Sequence, residues 1–188
     1  MRTARIISRK DLSDEQLGFF LSGFVEGEGS FNVSLRRKAD YKVGWQVVMS
    51  FNVSQKDPTI LKILKDKLQC GIIKVRRQDN LYSFDVTNSR DLTLRIIPYF
   101  QRYPVLSDSK KRNFTIFCKV VRLMDQGKQR TLIGLRKIVE LRELINVGAG
   151  RTRKYGINDV FSQESPETIR RPLNKTFRDD IVRSHRRR

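Results

Sequence analysis

Three kinds of apolar and polar pattern follow one another along the chain. Residues 17–25 are apolar nearly all round, which predicts a helix buried on every side. Ser13, followed by Glu15 and Gln16, predicts its N-cap. From Gly29 the pattern switches to strict alternation, with Phe31, Val33 and Leu35 on one face and Asn32, Ser34 and Arg36 on the other. After a turn through Arg37, Lys38, Ala39 and Asp40 it resumes, with Trp45, Val47, Met49, Phe51 and Val53 opposite Gln46, Val48, Ser50, Asn52 and Ser54. A period of two predicts a hairpin with an apolar inner face and a hydrogen-bonding outer face.

Asp57 and Pro58 lead into a predicted helix over 59–68, and Gly71 ends it. A second hairpin follows over 72–77 and 81–87, turning at Gln78, Asp79 and Asn80; Val75, Tyr82, Phe84 and Val86 suit the core, leaving Lys74, Arg76, Ser83 and Asp85 outward. Helices are predicted over 89–99 and 109–125, with a break between Pro98 and Pro104, and over 131–146. The order is αββαββα, an α+β fold with a four-stranded antiparallel sheet, C-terminal helices and a basic tail. The expected organisation is a basic arm over 1–12, a core over 13–146 and a basic extension over 147–188, within which 165–170 reads as a capped short helix.

Charge changes the picture. A net charge of +19 and a pI near 10.5 concentrate polyanions around the protein, so nucleic acid is the leading expected partner. A membrane surface is the rival, but no apolar run approaches spanning length and no lipidation or cleavable signal pattern is expected at the start. Cys70 and Cys118 stand apart in apolar surroundings and read as reduced core residues of an intracellular protein. The single histidine, His185, lies in the basic tail, which rules out chemistry built on histidine ligands or a histidine base.

On the outer sheet face, Arg36, Gln46 and Asn52 suit purine edges, and Ser34, Ser50 and Ser54 serve either donors or acceptors. Asn32, Lys74, Arg76, Ser83 and Asp85 share that face, and Arg37, Asp79 and Asn80 extend it at the turns. Lys38, Lys42 and, further on, Arg151, Arg153 and Lys154 suit phosphates. A strand of about six residues spans roughly 20 Å, or about six base pairs.

The chemistry is expected where the apolar helix ends. Glu26 and Glu28 fall beside the negative end of its dipole, where paired carboxylates repel unless a cation is present. Gly18, Ser22 and Gly23 within the helix suit close approach of a second helix, and with Glu26 form the expected dimer interface.

The run Leu21-Ser22-Gly23-Phe24-Val25-Glu26-Gly27-Glu28-Gly29-Ser30-Phe31 resembles the signature of LAGLIDADG homing endonucleases, and the resemblance reaches to about Arg122. It implies a small-residue helix packed on its twin, with Glu28 as the Mg2+ or Mn2+ ligand in place of the commoner Asp. It further implies Gln55 as a water-positioning residue and a catalytic lysine near the long helix, where Lys110 and Lys111 stand side by side and the choice between them stays open. Thr59 stands where some members carry an assisting arginine, and Arg151, Arg153 and Lys154 resemble a backbone-contacting segment of the chloroplast-type subgroup. One motif without an internal repeat implies a homodimer that cuts both strands of a near-palindromic double-stranded DNA site and leaves short 3′ overhangs. The resemblance also implies intron homing and a chloroplast or mitochondrial setting. Two other readings keep some of these features: an RNA-binding maturase acting on intron RNA, or a DNA-binding regulator, on the same fold. A ribosome-associated RNA-binding protein explains the charge but not the acidic pair.

Overall fold

The computed structural model describes residues 8–148 and 153–161. Helix α1, Asp14–Glu28, opens on a reciprocal cap in which Ser13 Oγ accepts from the Gln16 amide (3.1 Å) and Gln16 Oε1 accepts from the Ser13 amide (2.8 Å). Strands β1, Gly29–Arg37, and β2, Trp45–Gln55, form the first hairpin. Helix α2, Thr59–Leu68, joins it to β3, Ile72–Arg76, and β4, Leu81–Val86. A helical run over 89–102, α3, precedes α4, Asp108–Asp125, α5, Leu132–Glu143, and a short α6, Ile157–Phe161.

The sheet is antiparallel throughout, in the order β1-β2-β4-β3. Gly29 sits opposite Val53, Phe31 opposite Phe51, Phe51 opposite Val86 and Val53 opposite Phe84, so the residues of the predicted apolar face all point to one side. The helices cover that side. Phe31 is its centre, with the rings of Phe51, Phe100, Phe114 and Phe117 at 5.2–5.4 Å between centroids. Five fully buried phenylalanines, Phe31, Phe51, Phe84, Phe100 and Phe117, together with Leu61 and Leu64 of α2 and Leu135 and Ile138 of α5, make one continuous core. Cys70 and Cys118 are free and half-buried at its margin, and burial pushes both thiols up to about 11.

Three expectations are corrected. Val75 has the parity of the core face but is 50% exposed, because β3 is an edge strand and the helices do not reach its far end. The helix expected over 89–99, with a break from Pro98 on, continues to Arg102: residues Leu92–Ile96 form a wide π turn, which lets the chain pass the carbonyl that the Pro98 ring would otherwise strike. And α1 is not covered on every side. Leu17, Gly18, Leu21, Ser22 and Val25 face inward, while Phe19 and Phe20 are 48% and 49% exposed.

The inward face of α1 is fitted to α3 and the loop after it. Tyr99 Oη donates to the Gly18 carbonyl (2.8 Å), Ser22 Oγ donates to the Tyr103 carbonyl (2.7 Å), and a Cβ on Gly18 would overlap the Tyr103 ring. Gly18 and Ser22 therefore belong to the packing within this chain and not to an interface between chains. Gly23 and Gly27 look outward, with nothing within 4 Å of where a Cβ would sit.

The other edge of the sheet is closed by side chains. Arg142, at the end of α5 and only 5% exposed, donates from Nε to the Val33 carbonyl of β1 (3.2 Å) and from Nη1 to the Tyr155 carbonyl (2.8 Å). Asn146 donates from Nδ2 to the Phe31 carbonyl (3.1 Å). A strand edge that would otherwise present bare carbonyls is thus capped, which blunts unwanted strand pairing.

Candidate functional site

Alternation places the polar side chains on the sheet face away from the helices. Ser30, Asn32, Ser34 and Arg36 of β1 lie opposite Asn52, Ser50, Val48 and Gln46 of β2; Asn52 and Ser54 lie opposite Asp85 and Ser83 of β4, which in turn face Ile72 and Lys74 of β3. Arg76 continues the row opposite Leu81. All the outward strand residues expected from the sequence share this surface. Ser30 and Ile72 join them there, beyond the expected set.

The face has internal bonds. Asp85 accepts from Ser83 Oγ (2.6 Å) and Asn52 Nδ2 (2.5 Å) and pairs with Lys74 Nζ (3.2 Å). Burial tends to raise its pKa, but these donors outweigh burial and hold the carboxyl below its ordinary value. Arg76 makes a two-bond fork on Asp79 (2.8 and 2.5 Å), which ties it to the turn where Asn80 takes φ +52°.

The remaining residues expected at the DNA interface have varied surroundings. Arg37 has the parity of the core face, and its guanidinium lies 5.3 Å from the Trp45 ring centroid and 5.8 Å from that of Tyr155. Arg153 is a helix cap: it donates to the carbonyls of Arg142 (2.8 Å), Glu143 (3.4 Å) and Ile145 (2.6 Å), at the negative end of α5. Lys154 lies 5.4 Å from the Tyr155 centroid, and Lys38 and Lys42 are exposed in the 38–44 turn. Arg151 lies outside the described residues, as does 165–170.

The two acids at the end of α1 have opposite surroundings. Glu26 accepts from the Leu106 amide through Oε2 (2.7 Å) and from Ser107 Oγ through Oε1, so it docks the loop that caps α4. Its pKa is lowered, since these bonds outweigh the opposing effect of burial. Glu26, expected at the dimer interface, thus makes its bonds within this chain. Glu28 is exposed and, among the described residues, makes no hydrogen bond or ion pair.

Register brings two further residues to this end of the sheet. Glu28 precedes Gly29, which pairs with Val53, so the end of β2 at Ser54 and Gln55 runs alongside it. Gln55 Oε1 accepts from the Lys56 amide (2.9 Å), leaving its amide hydrogens free to donate. Lys110, in the first turn of α4, donates from Nζ to the Gly29 carbonyl (2.6 Å); burial lowers its pKa, against an opposing pull from Glu26. Lys111 is exposed, about 100° further round the helix. The structure therefore distinguishes the neighbouring lysines. Sequence carried no such signal, because adjacent positions of one helix differ only in the face they take.

Among the described residues no three of His, Cys, Asp and Glu lie together. Of the two acids at the end of α1, Glu26 is held by the Leu106 amide and Ser107, which leaves the Glu28 carboxylate to meet a cation. That fits a hard, oxygen-seeking ion such as Mg2+, which keeps several waters and takes phosphate oxygens. Among the described residues no helix is long and apolar enough to cross a membrane.

A family profile described as LAGLIDADG endonuclease matches residues 21–121. Probable intron-encoded endonuclease 2 of Neurospora crassa is 33% identical over 145 residues, covering 76% of this chain and 32% of that protein, so the chain spans about a third of that relative's length. The crystal structure of the I-LtrWI LAGLIDADG homing endonuclease bound to target DNA superposes with a TM-score of 0.68 at 32% identity, over 70% of this chain and 45% of that one. The homing endonuclease I-TnaI does so with a TM-score of 0.65 at 28% identity, over 70% of this chain and 88% of that one.

Proposed function

The chain belongs to the LAGLIDADG endonuclease family, and from that premise we propose that two copies act together as a site-specific endonuclease on double-stranded DNA. One observation carries the reading: Glu28, which has no partner among the described residues, lies at the same end of the sheet as Gln55 at the end of β2 and Lys110, which donates to the Gly29 carbonyl. β2 alone has 11 residues, roughly 36 Å at about 3.3 Å each, or about ten base pairs of rise. That exceeds the reach of about six base pairs expected from a strand of about six residues. The face lies in the major groove of a half-site, where Arg36, Gln46 and Asn52 read base edges and Lys38 and Lys42 meet phosphates.

The twin helices touch through Phe20, Gly23, Phe24 and Gln16 or Gly27, the outward stripe of α1, at helical spacing i, i+3, i+4 and i+7. This brings the two Glu28 carboxylates together beneath the minor groove, where they hold Mg2+ or Mn2+. When bound, such an ion offsets charge on the scissile phosphate and lowers the pKa of a coordinated water. Gln55 donates to and orients the attacking water. Lys110 holds positive charge beside the phosphate. Cuts on both strands leave short 3′ overhangs, and the product is a break suited to intron homing, in line with the intron-encoded origin in the name of the Neurospora relative; an organelle genome is the proposed setting.

The test is selection of cleaved sites from random duplex DNA with Mg2+. A recovered near-palindrome supports the proposal; specific binding without any cutting favours the maturase or regulator reading. In the same assay Lys110→Met lowers the cleavage rate about a hundredfold, while Lys111→Met stays within about threefold, because only the former removes a charge held at the site.

A further inference from the structure

The centre of the polar face is joined to the helices behind it by a directional chain of amides. Asn113 of α4 donates from Nδ2 to Asn146 Oδ1 (2.9 Å) and accepts at Oδ1 from the Asn146 backbone amide (3.0 Å). Asn146 reaches round the β1 edge and donates from Nδ2 to Asn32 Oδ1 (3.4 Å) as well as to the Phe31 carbonyl. Asn32 Nδ2 donates to Asn52 Oδ1 (3.1 Å), and Asn52 Nδ2 donates to Asp85 Oδ1 (2.5 Å). Each amide points its nitrogen toward Asp85. An ionised carboxylate only accepts, so it sets the direction of the chain at one end. At the other end Asn146 sets it, since its Nδ2 requires an oxygen from Asn32, and Ser30 Oγ donates to that same oxygen (3.2 Å).

Orientation matters here because an amide turned over exchanges donor for acceptor, and base edges in the major groove are told apart by that pattern. As held, Asn52 spends Oδ1 on Asn32 and on Ser50 Oγ (2.8 Å) and one N–H on Asp85, leaving its second N–H for an acceptor on a base. A hydrogen bond from outside the groove thus determines what the groove is shown.

We propose that Asn146, held by Asn113, is a positioning residue for sequence readout: it fixes the Asn32 amide, and through it Asn52, so that the middle of the sheet presents a single donor pattern to DNA. The inference rests on the endonuclease reading. It adds residues that touch no base to those that determine specificity.

The experiment is site selection by the full chain and by Asn146→Gly, Asn146→Asp and Asn113→Ala, with thermal unfolding of each. Asn146 has φ +55°, so Gly keeps the backbone while removing the side chain, and Asp keeps the shape while removing the donor. The expected result is a loss of about tenfold in base discrimination at the pairs facing Asn32 and Asn52. Discrimination at the pairs facing Arg36 and Gln46, about 13 Å along the strand, is retained. In an Asn32→Ala background, adding Asn146→Gly changes the profile no further. An unchanged profile with a lower Tm, or an equal loss at every position, overturns the inference, because Asn146 then serves only the β1 edge. A wild type that selects no DNA overturns the endonuclease reading, and this readout with it; a selective wild type whose Asn146 variants select identically overturns this inference alone.

Discussion

Glu28→Gln is expected to lower Mg2+-dependent cleavage by about three orders of magnitude, because an ion held by the two Glu28 carboxylates would contribute several kcal/mol to the transition state and the variant removes both charges that would hold it. The same change leaves the fold intact. Glu28 is exposed and, among the described residues, bonds to nothing, and removing a negative charge from a helix C-terminus stabilises the helix by a few tenths of a kcal/mol. DNA affinity in Ca2+ stays within a few-fold, since the reading face is untouched. Glu26→Gln, two residues away, has the opposite profile: it weakens charge-assisted bonds to the Leu106 amide and Ser107, costing about 1–3 kcal/mol of stability. Cleavage rates, unfolding midpoints and binding in Ca2+ separate the two. Cutting by Glu28→Gln at the wild-type rate would remove the acid from the mechanism.

These paired fates show where sequence reading runs out. Alternation along β1, β2 and β4 was enough to place the core and outer faces, since every side chain on a strand follows from its neighbour by parity. The motif placed Glu28 and Gln55 in the same way, one at a helix end and one at a strand end, and the register brings them to one end of the sheet. Helices and loops offer no such rule. Gly18 and Ser22 share a face four residues apart, as Gly23 and Gly27 do; which face turns inward depends on Tyr99 and Tyr103, about 80 residues later in the chain. Arg153 looks like any basic residue in a basic segment until its three carbonyl partners at the end of α5 are known. Asn146 is similar: a polar residue after a helix, whose role depends on a strand more than a hundred positions away.

The inward and outward glycines of α1 lead to the second large effect. Gly23→Leu is expected to raise the stability of the isolated protein, because Gly is among the poorest helix formers, by about 0.8–1 kcal/mol relative to Ala, and nothing in this chain lies within 4 Å of the new Cβ. It should nevertheless abolish cleavage, by about a hundredfold or more, and halve the protein mass bound per duplex in sedimentation. A bulky side chain on the contact stripe keeps two helices several ångströms apart, and a shared metal site cannot tolerate displacement of that size. Gly18→Ala is the control with the opposite sign: its Cβ overlaps the buried Tyr103 ring, so it costs about 1–3 kcal/mol of stability yet leaves pairing and, below the unfolding transition, cleavage in place. Gain of stability with loss of function at Gly23, and loss of stability with retained function at Gly18, cannot both follow from general damage to α1. If Gly23→Leu instead pairs and cuts like the wild type, the two chains meet through some other surface, and the exposed Phe19 and Phe20 need a different partner.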